Sequence, residues 1–456
     1  MKFVVKNSCL VQPAEATWNG VMALTEFDQI GAITHPPTLY FYRPSETWLA
    51  QEEIMFTTLR DSLSRILVHF YPLAGRLRWL DGGRLELECN GEGVALIQVE
   101  SDATLDDLGD LSLSPHFHHL SPKINYKAPI EEIPLLFVQL TKFKCGGIAL
   151  SHALSHAVVD GQSAFHFASE WARLARGESL GKAPFLDRKL LRAGDPPSAQ
   201  PCFDNEWNEP PVLITQPGSE NDEIRNKGNA VAMLKLTKKQ VEMLKNEANR
   251  TKSSYIDDGD HRMFSRYESV TAHIWRCACK ARGHVYEQPT GVGISVDIRK
   301  RVEPPLPQTY FGNATTSVIA TDCAGDVVTK PSGYAASRIR QAINKVSSAY
   351  VHSTLDNLKN LKDFTGLQDI HAMELEASER MFVGNPNLWV SSWTTLALNG
   401  LDFGWGNEMY MSPGPHDGDG ESLTLPGQDG DGSMVVALHL QAAHIEDFKK
   451  FFYQTI

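Results

Sequence analysis

Residues 154–161 read Leu-Ser-His-Ala-Val-Val-Asp-Gly, LSHAVVDG. Ahead of this stretch an apolar run, Gly146 to Leu154, has the length and composition of a buried strand, and after it Gln162 to Arg176 carries apolar residues at helical spacing. His156 therefore falls at a strand-to-helix junction, a place where side chains are delivered into clefts. An imidazole with an ordinary pKa of about 6.5 is mostly unprotonated near neutrality and suits a general base. Asp160 fits a helix N-cap, a free charge or an arginine partner, and Gly161 permits a sharp turn. The same pattern also suits a satisfied loop histidine with a cap and no chemistry. A second stretch far along the chain, Asp402-Phe403-Gly404-Trp405-Gly406, preceded by Trp393 and followed by a Gly/Pro/Asp-rich loop, favours catalysis.

Composition bounds what these stretches belong to. The chain has 456 residues, 42% hydrophobic and 21% charged, enough to bury a large core divided over two domains. A net charge of −12 argues against general affinity for nucleic acid or anionic membrane and is compatible with solubility or a cationic substrate. Seven scattered cysteines are an odd count in a chain that needs no staples, and imply reduced thiols and a cytoplasmic setting. Cys277 and Cys279 sit two apart on a helical segment and so face different ways, which argues against a shared metal. No 18-residue apolar run and no signal-like N-terminus are present.

In chain order, strands are expected over residues 3–12, 39–42, 94–99, 230–236, 292–296, 388–393 and 434–440. Hairpins are expected around Asp81-Gly82-Gly83 and around Cys145-Gly146. Helices are expected over 53–70, 162–176, 238–249, 267–281, 337–358 and 444–453. The Pro-rich segment 181–218 has no sustained period, and the acidic runs Asp417 to Glu421 and Asp429 to Asp431 lack the ligand order of a calcium loop and read as turns. The expected division is 1–190, a crossover at 191–220, and 221–456. Helices and strands interleave without a regular βα repeat, which favours a mixed α/β architecture with two layers per domain.

SHAVVDG near one third of the chain and DFGWG near its end resemble the two signatures of the plant CoA-dependent acyltransferases called the BAHD family. The segments around Arg299 and Tyr310-Phe311-Gly312-Asn313 fit the same pattern, and the resemblance spans essentially the whole chain. The stretches EFDQIGAITHPPTLYFY, FYPLAGRLRWL, TKFKCGGIAL and RYESVTAHIWRCACKARGH are similar to the branch that acylates spermidine with hydroxycinnamate. The resemblance implies a two-domain α/β fold like that of chloramphenicol acetyltransferase, an interdomain solvent channel with His156 in its middle, and a monomer. No cofactor is bound permanently, and a hydroxycinnamoyl-CoA serves as co-substrate. His156 is then the general base. Asp160 and Gly161 are structural, with Arg299 as the partner of Asp160. Asp402, Gly404 and Gly406 form a turn, Asp402 keeping a place beside the histidine as a catalytic candidate.

On this reading an acceptor nitrogen attacks the thioester carbonyl, His156 takes the proton that the nitrogen sheds, and the indole N–H of Trp393 or the hydroxyl of Thr394 faces the oxyanion. CoA thiolate leaves without acid help, so no cysteine or serine nucleophile is needed. Relatives that take shikimate or quinate place an arginine where this chain has Thr395. That absence favours a polyamine such as spermidine, with an alcohol or shikimate-type acceptor as the alternative. Glu26, Asp28 and His35 are candidates for the acceptor side, Tyr40 and Tyr42 for the acyl pocket, and Ser265 and Arg266, with Lys252, for the CoA phosphates. Nucleic-acid and membrane partners are not expected.

Overall fold

The computed structural model describes residues 1–31, 33–44, 52–109, 111, 117–198, 228–251, 262–364, 382–414, 418–428 and 430–454. Most of the crossover segment, together with Lys252, Asp417 and Asp429, lies outside the described residues.

Three sheets form. The strands are β1 (Phe3–Val11), β2 (Gly20–Ala23), β3 (Pro37–Tyr42), β4 (Arg76–Leu80), β5 (Arg84–Cys89), β6 (Val94–Ser101), β7 (Leu136–Phe143) and β8 (Ile148–Leu154) in the first part of the chain. The later strands are β9 (Asn229–Leu236), β10 (Pro289–Asp297), β11 (Thr315–Cys323), β12 (Leu388–Ser392), β13 (Tyr410–Pro413), β14 (Glu421–Pro426) and β15 (Met434–Gln441). One six-stranded sheet runs β1-β6-β7-β8-β3-β13, the other β11-β10-β12-β14-β15-β9, and a three-stranded sheet runs β2-β5-β4. Every residue of β8 is buried, Ser151 and His152 included, as a strand with both faces covered requires. By contrast β1, at the sheet edge, is mostly exposed. The mixed α/β architecture expected from the sequence is the one found.

Helices cover the sheets. Besides the short helices Phe117–Leu120 and Ala324–Thr329, the described ones are α1 (Glu26–Gln29), α2 (Glu52–His69), α3 (Gly161–Ala175), α4 (Lys238–Arg250), α5 (Arg266–Ala281), α6 (Ser332–Asn344), α7 (Ser348–Asn360) and α8 (Ile445–Gln454). The period read in α2 puts Leu59, Leu63, Ile66 and Leu67 in the core, all fully buried. In the β4–β5 hairpin, Gly82 and Gly83 adopt φ of 72° and 68°, the left-handed region that glycine tolerates. A Cβ on Gly82 would lie 2.3 Å from the Lys362 carbonyl oxygen, so the hairpin tip also needs glycine to seat against the end of α7.

Three expectations need correction. The single helix over 337–358 is two: the first ends at Asn344 with Lys345 as its C-cap, and Ser347 caps the next by accepting from the Tyr350 N–H at 3.2 Å. β11 follows the Tyr310–Asn313 turn and was not anticipated. The acidic loop contains β14, whose strand pairs with β15 in register Ser422 to Leu438. The two large sheets also exchange chain. β13, late in the sequence, closes the first sheet by pairing with β3, and Leu398, Leu401, Phe403 and Met411 join the core that α2 and α3 bury.

Candidate active site

His156 sits in the turn between β8 and α3 and is partly exposed. Its backbone is clamped from both sides. The His156 N–H donates to the Thr34 carbonyl at 3.0 Å, and its carbonyl accepts from Asn313 Nδ2 at 2.8 Å. Gly31 lets the chain after α1 pass close by, since a Cβ there would stand 2.6 Å from the His156 oxygen. Ring nitrogen Nδ1 is buried with no partner among the described residues.

Behind this turn lie two buried ion pairs. Asp160 caps α3 through the Ser163 N–H at 2.9 Å and holds Arg299 by two bonds, 2.7 Å from Nη1 to Oδ2 and 2.9 Å from Nη2 to Oδ1. It also accepts from the Ala314 N–H at 3.0 Å. Burial, the largest influence on this carboxyl, raises its pKa, but the Arg299 charge and the four bonds outweigh it and hold the group below the ordinary carboxylate range. Every lone pair of Asp160 is thus spent inside the protein. Asp28 receives Arg188 at 2.6 Å, the Thr25 N–H and hydroxyl at 2.8 Å each, and the Asn313 N–H and Nδ2 at 2.9 and 3.0 Å. Arg188 and Asn313 escaped the sequence reading. The only hint was Asn313 in the YFGN turn, because an arginine in a proline-rich connector carries no spacing signal.

The second signature is a turn that pins itself to the first half. One Asp402 oxygen accepts from the N–H groups of Gly404, Trp405 and Gly406 at 2.7, 2.9 and 2.9 Å, with Gly404 and Gly406 at φ of 98° and 86°. Phe403 meets the Trp171 ring edge-on at 4.8 Å, Trp405 does the same to Tyr42 at 5.4 Å, and the Asp402 carbonyl accepts from Arg176. These bonds occupy the Asp402 carboxylate locally, which argues against an acid role. Trp393 packs edge-on against Phe165 at 5.7 Å and is partly buried, Thr394 shares a 2.8 Å hydroxyl bond with Ser392, and Thr395 is exposed. Gly161 approaches this loop, since a Cβ on it would be 3.1 Å from Leu396 Cδ1.

The acceptor-side candidates are more committed than expected. Glu26 is buried, with one oxygen 3.9 Å from Lys359 Nζ and the other accepting from the Ala193 N–H at 3.4 Å. His35 is buried between Tyr126 and the Pro134 carbonyl. Its Nε2 is 2.9 Å from that oxygen and must donate, so Nδ1 accepts from the Tyr126 hydroxyl at 3.1 Å. Burial lowers its pKa to about 4 and keeps it neutral. Neither residue offers a free charge. Tyr40 is fully buried with its hydroxyl unpartnered among the described residues.

At the CoA-side position, Ser265 caps α5 in a reciprocal box with Glu268, and the Arg266 guanidinium is 2.8 Å from Glu242. Both Ser265 and Arg266 are exposed. Asp419, in the acidic run, is taken by Arg282 at 3.1 Å and by the Asn385 N–H at 2.8 Å, the arrangement of a tied turn.

The model of the Transferase family matches residues 1–455. The chain belongs to this family, the BAHD acyltransferases. It is 42% identical over 99% of both chains to the hydroxycinnamoyl-CoA:piscidic acid hydroxycinnamoyltransferase of Actaea racemosa. It is 37% identical over 99% of this chain and 100% of the other to the shikimate O-hydroxycinnamoyltransferase of Nicotiana tabacum. An Avena sativa relative, hydroxycinnamoyl-CoA:5-hydroxyanthranilate N-hydroxycinnamoyltransferase HHT4, is 34% identical over 99% of each chain. In fold the chain is similar to vinorine synthase, TM-score 0.71 at 22% identity, covering 98% of this chain and 96% of that one. It is also similar to F. graminearum TRI101 complexed with coenzyme A and deoxynivalenol, TM-score 0.73 at 16% identity, covering 94% and 96%. As a BAHD enzyme it is an acyltransferase that takes an acyl-CoA as co-substrate and keeps no permanent cofactor. Among the described residues no helix is long and apolar enough to cross a membrane.

Proposed function

We propose that this BAHD enzyme transfers a hydroxycinnamoyl group from CoA to a small acceptor, with His156 as the general base. The observation that carries the reading is the clamped His156 turn, in which Thr34 and Asn313 fix the backbone while the ring stays partly exposed. The acceptor's hydroxyl or amine attacks the thioester carbonyl and gives its proton to the imidazole. The tetrahedral oxyanion then collapses and expels CoA as thiolate, which receives a proton. Trp393 Nε1 and the Thr394 hydroxyl are the donors for the oxyanion, and Ser265 with Arg266 meets the CoA phosphates. The donor enters the interdomain channel from one side and the acceptor from the other.

For the acceptor, a hydroxyl compound of the kind used by the Actaea and Nicotiana relatives is the leading reading, because Glu26 and Asp28 are already held by Lys359 and Arg188 and leave no free carboxylate for a polyamine. Thr395 favours a second reading, spermidine N-acylation, since an exposed threonine gives an acceptor carboxylate no cationic partner. Thiol release from p-coumaroyl-CoA with piscidic acid, shikimate, 5-hydroxyanthranilate or spermidine decides between them. Release above background with a hydroxyl acceptor supports the first, and release with spermidine alone supports the second. His156→Ala should abolish turnover with all of them while leaving the thermal midpoint unchanged. Retained turnover in that variant would remove His156 from the mechanism.

A further inference from the structure

Four residues before His156, within β8, His152 stands opposite Thr38 of β3 and Val138 of β7. It is 2% exposed, yet neither ring nitrogen has a hydrogen-bond partner among the described residues. Two similarly buried imidazoles behave otherwise: His35 bonds the Pro134 carbonyl and His273 the Phe452 carbonyl at 2.8 Å. Next to His152, the Tyr40 ring lies nearly parallel at 5.6 Å, and its hydroxyl is a third unpartnered polar atom. A buried polar atom left unpaired is costly, so an apolar pair here would give a more stable protein. Three such atoms together in a core of Leu150, Leu154 and Phe165 point to a guest that satisfies them.

The chemistry of the pair limits the guest. Burial lowers the His152 pKa to about 4, so the ring is neutral and offers one donor and one acceptor. Burial likewise lifts the Tyr40 hydroxyl well above its ordinary value and keeps it protonated. A neutral pair suits neither an ammonium nor a carboxylate, and matches a phenolic hydroxyl that donates to one partner and accepts from the other. Apolar surface for the rest of an aromatic ring is at hand. Phe165 meets His152 edge-on at 6.4 Å and Trp393 at 5.7 Å, linking the pair to the loop beside Gly161.

We infer that His152, with Tyr40 beside it, binds the ring hydroxyl of the acyl group and sets the preference for hydroxylated over unsubstituted cinnamoyl donors. The inference rests on the reading of the donor as a hydroxycinnamoyl-CoA. The test measures kcat/KM for cinnamoyl-, p-coumaroyl- and caffeoyl-CoA, and equilibrium binding of the same thioesters, in the wild type, His152→Leu, His152→Gln and Tyr40→Phe. His152→Leu should cut the p-coumaroyl-to-cinnamoyl ratio about tenfold, the loss of one neutral hydrogen bond. His152→Gln, which keeps a donor and an acceptor, should recover part of the ratio, and Tyr40→Phe should lower it. A ratio that stays put in all three variants, or equal losses for every donor, overturns the assignment. Absence of wild-type turnover with any of these thioesters would instead sink the functional reading, and the binding ratio would still judge His152. If His152→Leu does not fold, the other two variants carry the same comparison.

Discussion

Arg188 Nη1 lies 2.6 Å from Asp28 Oδ2 with the two side chains only 1% and 0% exposed, and this pair is two bonds away from the His156 backbone. Asp28 holds Asn313, and Asn313 holds the His156 carbonyl. Removing one charge strands the other in the core. Asp28→Asn should therefore destabilise the fold by about 3–5 kcal/mol and lower kcat beyond any loss of folded protein. The double variant Asp28→Leu/Arg188→Met should regain much of the stability and little of the rate, because Asn313 would still lack its anchor. Urea unfolding alongside active-site-normalised kinetics separates the two effects. Recovery of rate together with stability would show that the chain of bonds does not position His156.

Asp160 and Arg299 join the two halves of the chain, so their loss should register in cooperativity as well as in rate. Arg299→Ala leaves Asp160 with backbone donors only, at a cost of about 3–5 kcal/mol for an uncompensated buried charge. His156→Ala should do the reverse, with turnover lost and the unfolding midpoint kept. A denaturation series on both variants checks the contrast, and a stable Arg299→Ala protein without activity would move Arg299 into the reaction itself.

The sequence made much of this legible, and the limits are physical. Period-2 and period-3.6 patterns located β8, α2 and α3, because each presents one apolar face or a largely apolar run to a core. The LSHAVVDG and DFGWG stretches were readable because both are tight turns whose residues are dictated locally, by the Asp160 cap and by the glycines that Asp402 gathers. What stayed hidden depends on contacts remote in sequence. Arg188 finds Asp28 across 160 positions of chain and Tyr40 meets His152 only through strand pairing, so no local pattern announces either. The restart of the helix within 337–358 hung on a single serine acting as a cap.

Asp402 offers a cleaner separation of structure from chemistry. Three backbone N–H groups converge on one oxygen, and an asparagine carbonyl accepts from the same three. Asp402→Asn should leave kcat within about threefold and cost no more than about 1 kcal/mol, the difference between charged and neutral acceptors. Asp402→Ala frees all three donors and the turn that seats Phe403 on Trp171, and should cost about 1–3 kcal/mol. A hundredfold fall in kcat for the asparagine variant, with its stability intact, would restore the acid role that the bonding pattern argues against.

Acid should unfold this protein from a higher pH than its carboxylates alone would set. His35, His152 and His273 are each lowered by burial to about 4, while the same imidazoles in the unfolded chain protonate near the ordinary value of about 6.5. Between those limits the unfolded state binds more protons than the native one, so the stability these neutral rings give is full above about pH 6.5 and declines as pH falls toward 4. Three such groups set a limiting slope of about 4 kcal/mol per pH unit. Below about pH 4 Asp160 adds to the loss, because its folded carboxyl protonates later than the unfolded one. Urea midpoints taken from pH 7.5 down to 4.5 should trace the first decline, and His152→Leu should flatten it, since one of the titrating rings is gone. An unchanged slope in that variant would mean that His152 is already protonated in the fold, and a charged ring there could not be the neutral partner that a phenolic hydroxyl requires.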